Sequence, residues 1–235
     1  MATKKYASIQ GLIEEQAHRW QLLGRERQRK KMPPLPVVYL SRETGAHGDQ
    51  VAERLAEIAG YDLFDRALIR KIAESASMAE SVVETLDEKN RSALIDWVSS
   101  LGESKHFWFD EYLEHLSKVI GTIGRHGRAI IVGRGAGYLL GQDGCQCLRV
   151  RIIASLDTRV QRVMDSLKLT MKEAKKHIQK TEAEQRAFLK RYFDANIDDP
   201  CNYDLVVNTD RLSVDEAAQA VYGALQEMIE REQKG

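Results

Sequence analysis

The chain has 235 residues, 30% of them charged and 7% aromatic, and its 35 lysines and arginines balance its 35 aspartates and glutamates. That length suffices for one fully cored α/β domain with a small appendage. Zero net charge excludes a whole-molecule argument for nucleic acid or a membrane surface, so any anion site must come from local clustering and no nucleic acid partner is expected.

From Ala7 to about Glu26 the apolar residues Leu12, Ile13, Ala17, Trp20 and Leu23 recur at helical spacing. The basic run Arg25, Arg27, Arg29, Lys30 and Lys31 follows, and "MPPLP" then stops any helix, so residues 1–32 read as a helix with a basic linker and 33–235 as the main domain. The helix has two partners open to it, its own domain or a second copy of the chain, and the second would make a homo-oligomer. No apolar run near the amino terminus is long enough for a signal or a membrane span, so the expectation is a cytoplasmic protein without a membrane partner.

"PVVYLS" is a short apolar run suited to a buried parallel strand, and a helix carrying Val51, Leu55, Ile58 and Ala59 on one side follows, stopped by Gly60. "YDLF" is a second strand ending at Asp65, which suits the N-cap of a helix beginning at Arg66. Helical patterns run through "ALIRKIAES", "AESVVETLDEK" and "FDEYLEHLSKVIGTI". Phe107, Trp108, Phe109 and Tyr112 read as packing residues, since no dense basic patch interleaves them. "RAIIVG" and "CLRVRIIA" are further strands, and "YDLVVNT" is the last. Cys145, Cys147 and Cys201 are too few for a disulfide framework, and a lone C-x-C is a poor zinc signal, so they read as reduced structural thiols. Val160, Val163, Met164 and Leu167 mark a helix; Thr170 with Glu173, and Ser213 with Glu216, are capping boxes that open two more.

Strands alternating with helices predict a parallel sheet covered on both faces, with the ligand crevice at the strands' carboxyl ends. "SRETGAHG", Asp65, "GRGAG" and "NTD" all directly follow strands and so share that edge. "GRGAG" lacks the sixth-position glycine and the later acid of a dinucleotide fingerprint.

The order and spacing of "SRETGAHGDQVAERLAEIAGYDLFDRALI", "AIIVGRGAGYLL", "VRIIASLDTRVQRVM" and "RYFDANIDDPCNYDLVVNTDRLSVDEAA" resemble the cytidylate kinase-like family, a branch of the P-loop nucleoside monophosphate kinases. The resemblance spans about Val37 to Ala218. It implies a three-layer α/β P-loop kinase-like fold with a five-stranded parallel sheet and a helical lid. It also implies transfer of the γ-phosphoryl of ATP or GTP, with Mg²⁺, to a nucleoside monophosphate such as CMP. The alternative is a catalytically weak or inactive kinase-like nucleotide sensor or interaction protein.

A phosphate loop cradles anions with backbone N–H groups at a helix N-terminus, and residues Thr44, Gly45, Ala46, His47, Gly48 and Asp49 form that segment here. Laid on the G-x-x-x-x-G-K-[ST] pattern, Arg42 falls in the first glycine slot, His47 in the last, Gly48 in the lysine slot and Asp49 in the serine or threonine slot. Two readings of Asp49 compete: the helix N-cap, and a carboxylate in the magnesium position. Arg42 can replace the lysine at the phosphates or pair with Glu43 or another acid.

The resemblance gives Arg134 the acceptor phosphate and Asp65 an acceptor contact. Family kinases often carry an aspartate after that arginine, touching the acceptor's sugar, where this chain has Gly135. The lid, about residues 159–191, holds ten lysines and arginines against four acids, a local anion-attracting field. Within it Arg159, Arg162, Arg186 and Arg191 are the expected phosphate contacts, because guanidinium forks fit phosphate oxygens. The lid motif's acid falls on Glu182, and its arginine register on Gln185 or Arg186.

Overall fold

Every strand expected from the sequence forms. In the computed structural model, which describes residues 9–30, 33–103, 109–141 and 143–234, they are β1 (Val37–Arg42), β2 (Asp62–Phe64), β3 (Ala129–Val132), β4 (Cys147–Ile153) and β5 (Leu205–Asn208). They form one five-stranded parallel sheet in the order β2-β3-β1-β4-β5, with Leu40 of central β1 opposite Val132 on one side and Val150 on the other. Parallel neighbours need long crossovers, which places helices on both faces and explains the near-continuous apolar runs in the strands.

Successive side chains along a strand point to opposite faces, so β1 and β3 each feed two cores. Val37, Tyr39, Ala129 and Ile131 pack with α1 (Ile9–Lys30), α3 (Arg66–Ala73), α4 (Ala76–Val83), α6 (Glu111–His126), α7 (Ala136–Leu140) and the end of α9 (Met171–Phe193). Val38, Leu40, Ile130 and Val132 pack with α2 (Gly48–Ala59) and α10 (Val214–Lys234). The lid is a helical hairpin, in which Val160 and Val163 of α8 (Leu156–Leu167) meet Ala174 and Ile178 of α9.

Both capping boxes form: Thr170 and Glu173 exchange side-chain and backbone hydrogen bonds at the start of α9, and Ser213 and Glu216 do so at α10. Gly60 closes α2 in the left-handed region, φ +65°. A helix that the sequence pattern does not announce, α5 (Glu88–Glu103), buries only Leu94, Val98 and Leu101, a sparse stripe in a polar segment, and Leu94 and Val98 pack on Val83 and Leu86. Cys145 and Cys147 are free thiols packed on the core, and burial pushes both up to about 12. Among the described residues no helix is long and apolar enough to cross a membrane. The expected helix start at Ala7, the side chains of Arg27, Lys30 and Lys31, and both Phe107 and Trp108 lie outside what the structure describes.

The N-terminal helix packs on its own domain. Ile13 and Trp20 are buried in the core, and Trp20 stacks on His126 at 4.1 Å between ring centroids and on Phe64 at 5.9 Å. Gln16 donates to Asp62 Oδ2 at 2.7 Å, and Arg19 pairs with the same buried carboxylate. Truncating a buried tryptophan costs about 3–5 kcal/mol. Trp20→Ala is accordingly expected to lower Tm by about 6–20 °C for a chain of this size, read in a calorimetric melt; an unchanged Tm would show that α1 adds nothing to the fold.

Candidate phosphate-binding and acceptor site

The loop between β1 and α2 lies at the carboxyl edge of the sheet, where β1, β3 and β4 all end. Glu43 ties it to β4: its amide donates to the Ile152 carbonyl at 3.0 Å, and its Oε2 accepts from the Ala154 amide at 3.1 Å. Gly45, at φ +87°, rests directly on α8, and a Cβ there would stand 2.7 Å from the Arg159 carbonyl oxygen. The Ala46 carbonyl accepts from Thr209 Oγ1 at 2.9 Å, which fixes the loop to the residue after β5.

His47 is the N-cap of α2, in the left-handed region at φ 60°. This corrects the N-cap reading of Asp49, which instead sits in the helix's first turn. His47 offers no side-chain cap, so among the described residues the amides of Gly45, His47, Gly48, Asp49 and Gln50 donate to no protein acceptor. The first N–H groups of a helix demand such a partner, and anions supply it. Burial, and then the charge of Arg162, lowers the His47 pKa below the ordinary imidazole value, so the ring is neutral at pH 7.

A cavity of about 310 Å³ opens over these amides, walled by the loop, Arg162 and Leu167 of α8, and His177, Thr181 and Gln185 of α9. Arg162 donates to Thr209 Oγ1 at 3.1 Å and to the Thr209 carbonyl at 2.7 Å, with no carboxylate partner among the described residues. Arg159 is different. Its Nε donates to the Ala154 carbonyl at 3.0 Å, and its Nη1 donates to Glu182 Oε1 at 2.5 Å and the Thr44 carbonyl at 3.3 Å. Glu43 Oε2 lies 3.3 Å from the same guanidinium, so Arg159 holds the loop from behind instead of facing the cavity. Arg186 donates to Asp198 at 2.9 Å, and Arg191 lies 3.9 Å from Asp110 and over the Tyr192 ring; neither lines the cavity. The lid register therefore puts Gln185, not Arg186, toward the ligand space.

A second cavity of about 400 Å³ adjoins the first and is lined by Asp65, Arg66, Arg70 and Arg134; Arg42, Asp49 and Arg66 belong to both. Asp65 caps α3 by accepting from the Leu68 amide at 2.7 Å, which aims Arg66 and Arg70 along one side of that helix. Arg134, at φ 56°, lies over the Phe188 ring at 5.5 Å with its buried Nε unpartnered. Burial, then repulsion from Arg134 and Arg42, lowers the Arg66 pKa; burial lowers that of Arg134, with Arg70 and Arg42 adding to the effect. Among the described residues neither Arg66 nor Arg134 makes an ion pair. Arginine does not deprotonate, so these shifts mean that burial first, and repulsion from neighbouring arginines second, leave the charges poorly compensated, which a bound anion would relieve.

Arg66 was legible only through its place, one residue beyond a strand end. Gly135, where family kinases often have aspartate, has φ +67°, and a Cβ there would stand 2.8 Å from Phe193 Cζ. An aspartate has no room at that point, because the lid helix's last aromatic fills it.

Replacing Arg134 by glutamine is expected to raise Tm slightly in anion-free buffer by removing this repulsion, and to abolish the gain that phosphate gives. At ten times Kd that gain is about 1.4 kcal/mol, or about 3–6 °C for a chain of this size. Melts with and without phosphate read both effects, and an anion gain that survives in Arg134→Gln and Arg66→Gln would remove the cluster from the site.

The model of the cytidylate kinase-like family matches residues 37–211. The chain is 20% identical over 196 residues to a cytidylate kinase of Thermoplasma acidophilum, covering 83% of this chain and 95% of that protein. It is 24% identical over 199 residues to a cytidylate kinase of Thermoplasma volcanium, covering 83% and 94%. A solved structure of an uncharacterized protein from Eubacterium ventriosum superposes with a TM-score of 0.65 at 19% identity, over 82% of this chain and 98% of that one, which establishes the shared fold. With residues 37–211 of its 235 matched, the chain belongs to the cytidylate kinase-like family.

Proposed function

We propose that the protein transfers the γ-phosphoryl of ATP or GTP to a nucleoside monophosphate such as CMP. The observation that carries this reading is the shared wall of the two cavities: unsatisfied loop amides line one, Arg66 and Arg134, without ion pairs among the described residues, line the other, and Arg42, Asp49 and Arg66 belong to both. Phosphoryl transfer asks for little covalent chemistry and much positioning and charge neutralisation, which is what this layout supplies. The amides of Gly45, His47, Gly48, Asp49 and Gln50 and the guanidinium of Arg162 seat the donor's phosphates. Arg66 and Arg134 hold the acceptor's phosphate in line with them, and Gln185 and Thr181 of α9 close over the donor.

Asp49 suits a magnesium ion: its carboxylate is 63% exposed, and magnesium is commonly held by one or two carboxylates plus substrate phosphates and water. Bound there, the ion would offset the negative charge of the donor's phosphates. Thr44 and Ala46 shape the loop through their carbonyls and are not assigned a ligand contact.

The glycine at position 48 favours a second reading, nucleotide binding without transfer. Calorimetry with Mg-ATP and Mg-GTP, followed by turnover with a panel of monophosphates, separates the two. Expected are nucleotide binding, turnover with at least one monophosphate, and a fall in kcat/KM for that acceptor of about 10²–10³-fold in Arg134→Gln. Binding without turnover favours the second reading, and no binding of any nucleotide at millimolar concentration ends both.

A further inference from the structure

Of the four departures from the usual phosphate-binding pattern, at 42, 47, 48 and 49, the fold brings those at 42 and 48 into contact. Arg42 stands in the slot of the pattern's first glycine and Gly48 in the slot of its lysine. The room that a side chain at 48 would need is taken by Arg42: a Cβ built on Gly48 lies 2.7 Å from Arg42 Cγ, and closer still to its Cβ. The glycine and the cation have changed places, so the two departures are one exchange.

We propose that Arg42 supplies, from the end of β1, the positive charge that the pattern's lysine supplies from the first turn of the following helix, and that position 48 is glycine because Arg42 lies across it. This assignment rests on the phosphotransferase reading above. Three observations support it. Arg42 lines both cavities, at the junction through which a transferred phosphoryl would pass. Its side chain is only 16% exposed, so the guanidinium is held in place before any ligand arrives. Its Nε donates to Asp49 Oδ1 at 2.9 Å and its Nη2 to Oδ2 at 3.4 Å, while Nη1 has no acceptor among the described residues. A guanidinium with unused donors matches phosphate oxygens, which accept paired N–H bonds.

The test uses the full chain as R42Q, R42K, G48K and the double variant R42G/G48K, each measured by calorimetric Kd for Mg-ATP and by thermal melting. R42Q is expected to weaken Mg-ATP by about 10–100-fold, the loss of one charge-assisted contact, while R42K restores part of the affinity, as a merely structural residue would not require. G48K is expected to lower both Tm and affinity, and the double variant to regain both because it clears the space over position 48 and puts the cation back in the first turn of the helix. Should R42Q fail to fold, R42K and the double variant carry the comparison. Wild-type affinity in a folded R42Q, or a double variant no better than G48K, overturns the assignment alone. Failure of the wild-type protein to bind Mg-ATP overturns the phosphotransferase reading and the assignment with it.

Discussion

Arg159 reaches from the first turn of α8 to three segments at once: the loop through Glu43 and the Thr44 carbonyl, the end of β4 through the Ala154 carbonyl, and the lid helix through Glu182. Its side chain is 9% exposed and that of Glu182 13%. Removing one partner of a pair this buried costs about 3–5 kcal/mol, because the other charge is left without compensation. This buried network holds the loop from behind while its unsatisfied amides line the cavity in front. Gly45 completes the arrangement by letting the backbone lie against the Arg159 carbonyl, at a distance that no Cβ allows. Arg159, which the family resemblance makes a phosphate contact, thus holds the loop from behind, and in the proposed function it would serve phosphate only by fixing the amides that meet it.

The same logic runs through the departures from the usual phosphate-loop pattern at 42 and 48 and from the acceptor motif at 135. Each missing side chain leaves a space that a neighbour occupies: Arg42 lies over Gly48, and Phe193 fills the place of a side chain at 135. These are coupled changes, so restoring a single family residue adds a clash without restoring a function. Electrostatically the site divides into a settled part and an unsettled part. Arg159, Arg186 and Glu43 are paired, whereas Arg66, Arg134 and Arg162 have no carboxylate partner among the described residues. In a chain of zero net charge, that local excess gives the cleft its attraction for anions.

The strands and capping boxes were legible because their signals are local. An apolar run such as "PVVYL" has few alternatives to a buried strand, and Thr170 with Glu173 satisfies its helix end from within one turn. The helix α5 was not legible, since its three buried residues gain their meaning only from distant segments, Leu94 and Val98 from Val83 and Leu86 and Leu101 from the main core. Arg159 and Arg162 could not be told apart from sequence: they lie one helical turn apart with the same chemistry, and their partners, Glu43, Glu182 and Thr209, are distant in the chain. The cap was misplaced for a backbone reason. His47 adopts a left-handed conformation that aspartate's capping preference does not anticipate, and Asp49 then finds Arg42 instead of a helix amide.

In the proposed function, the main-chain N–H groups of Gly45, His47, Gly48, Asp49 and Gln50 hold the polyphosphate of a nucleotide. Amide resonances report such contacts directly, since an N–H that gains an anionic acceptor moves strongly downfield. Titrating the ¹⁵N-labelled protein with a magnesium-bound, non-hydrolysable ATP analogue should move Gly45, His47, Gly48, Asp49 and Gln50 most. Saturable shifts that leave those five amides in place and cluster elsewhere would contradict the account.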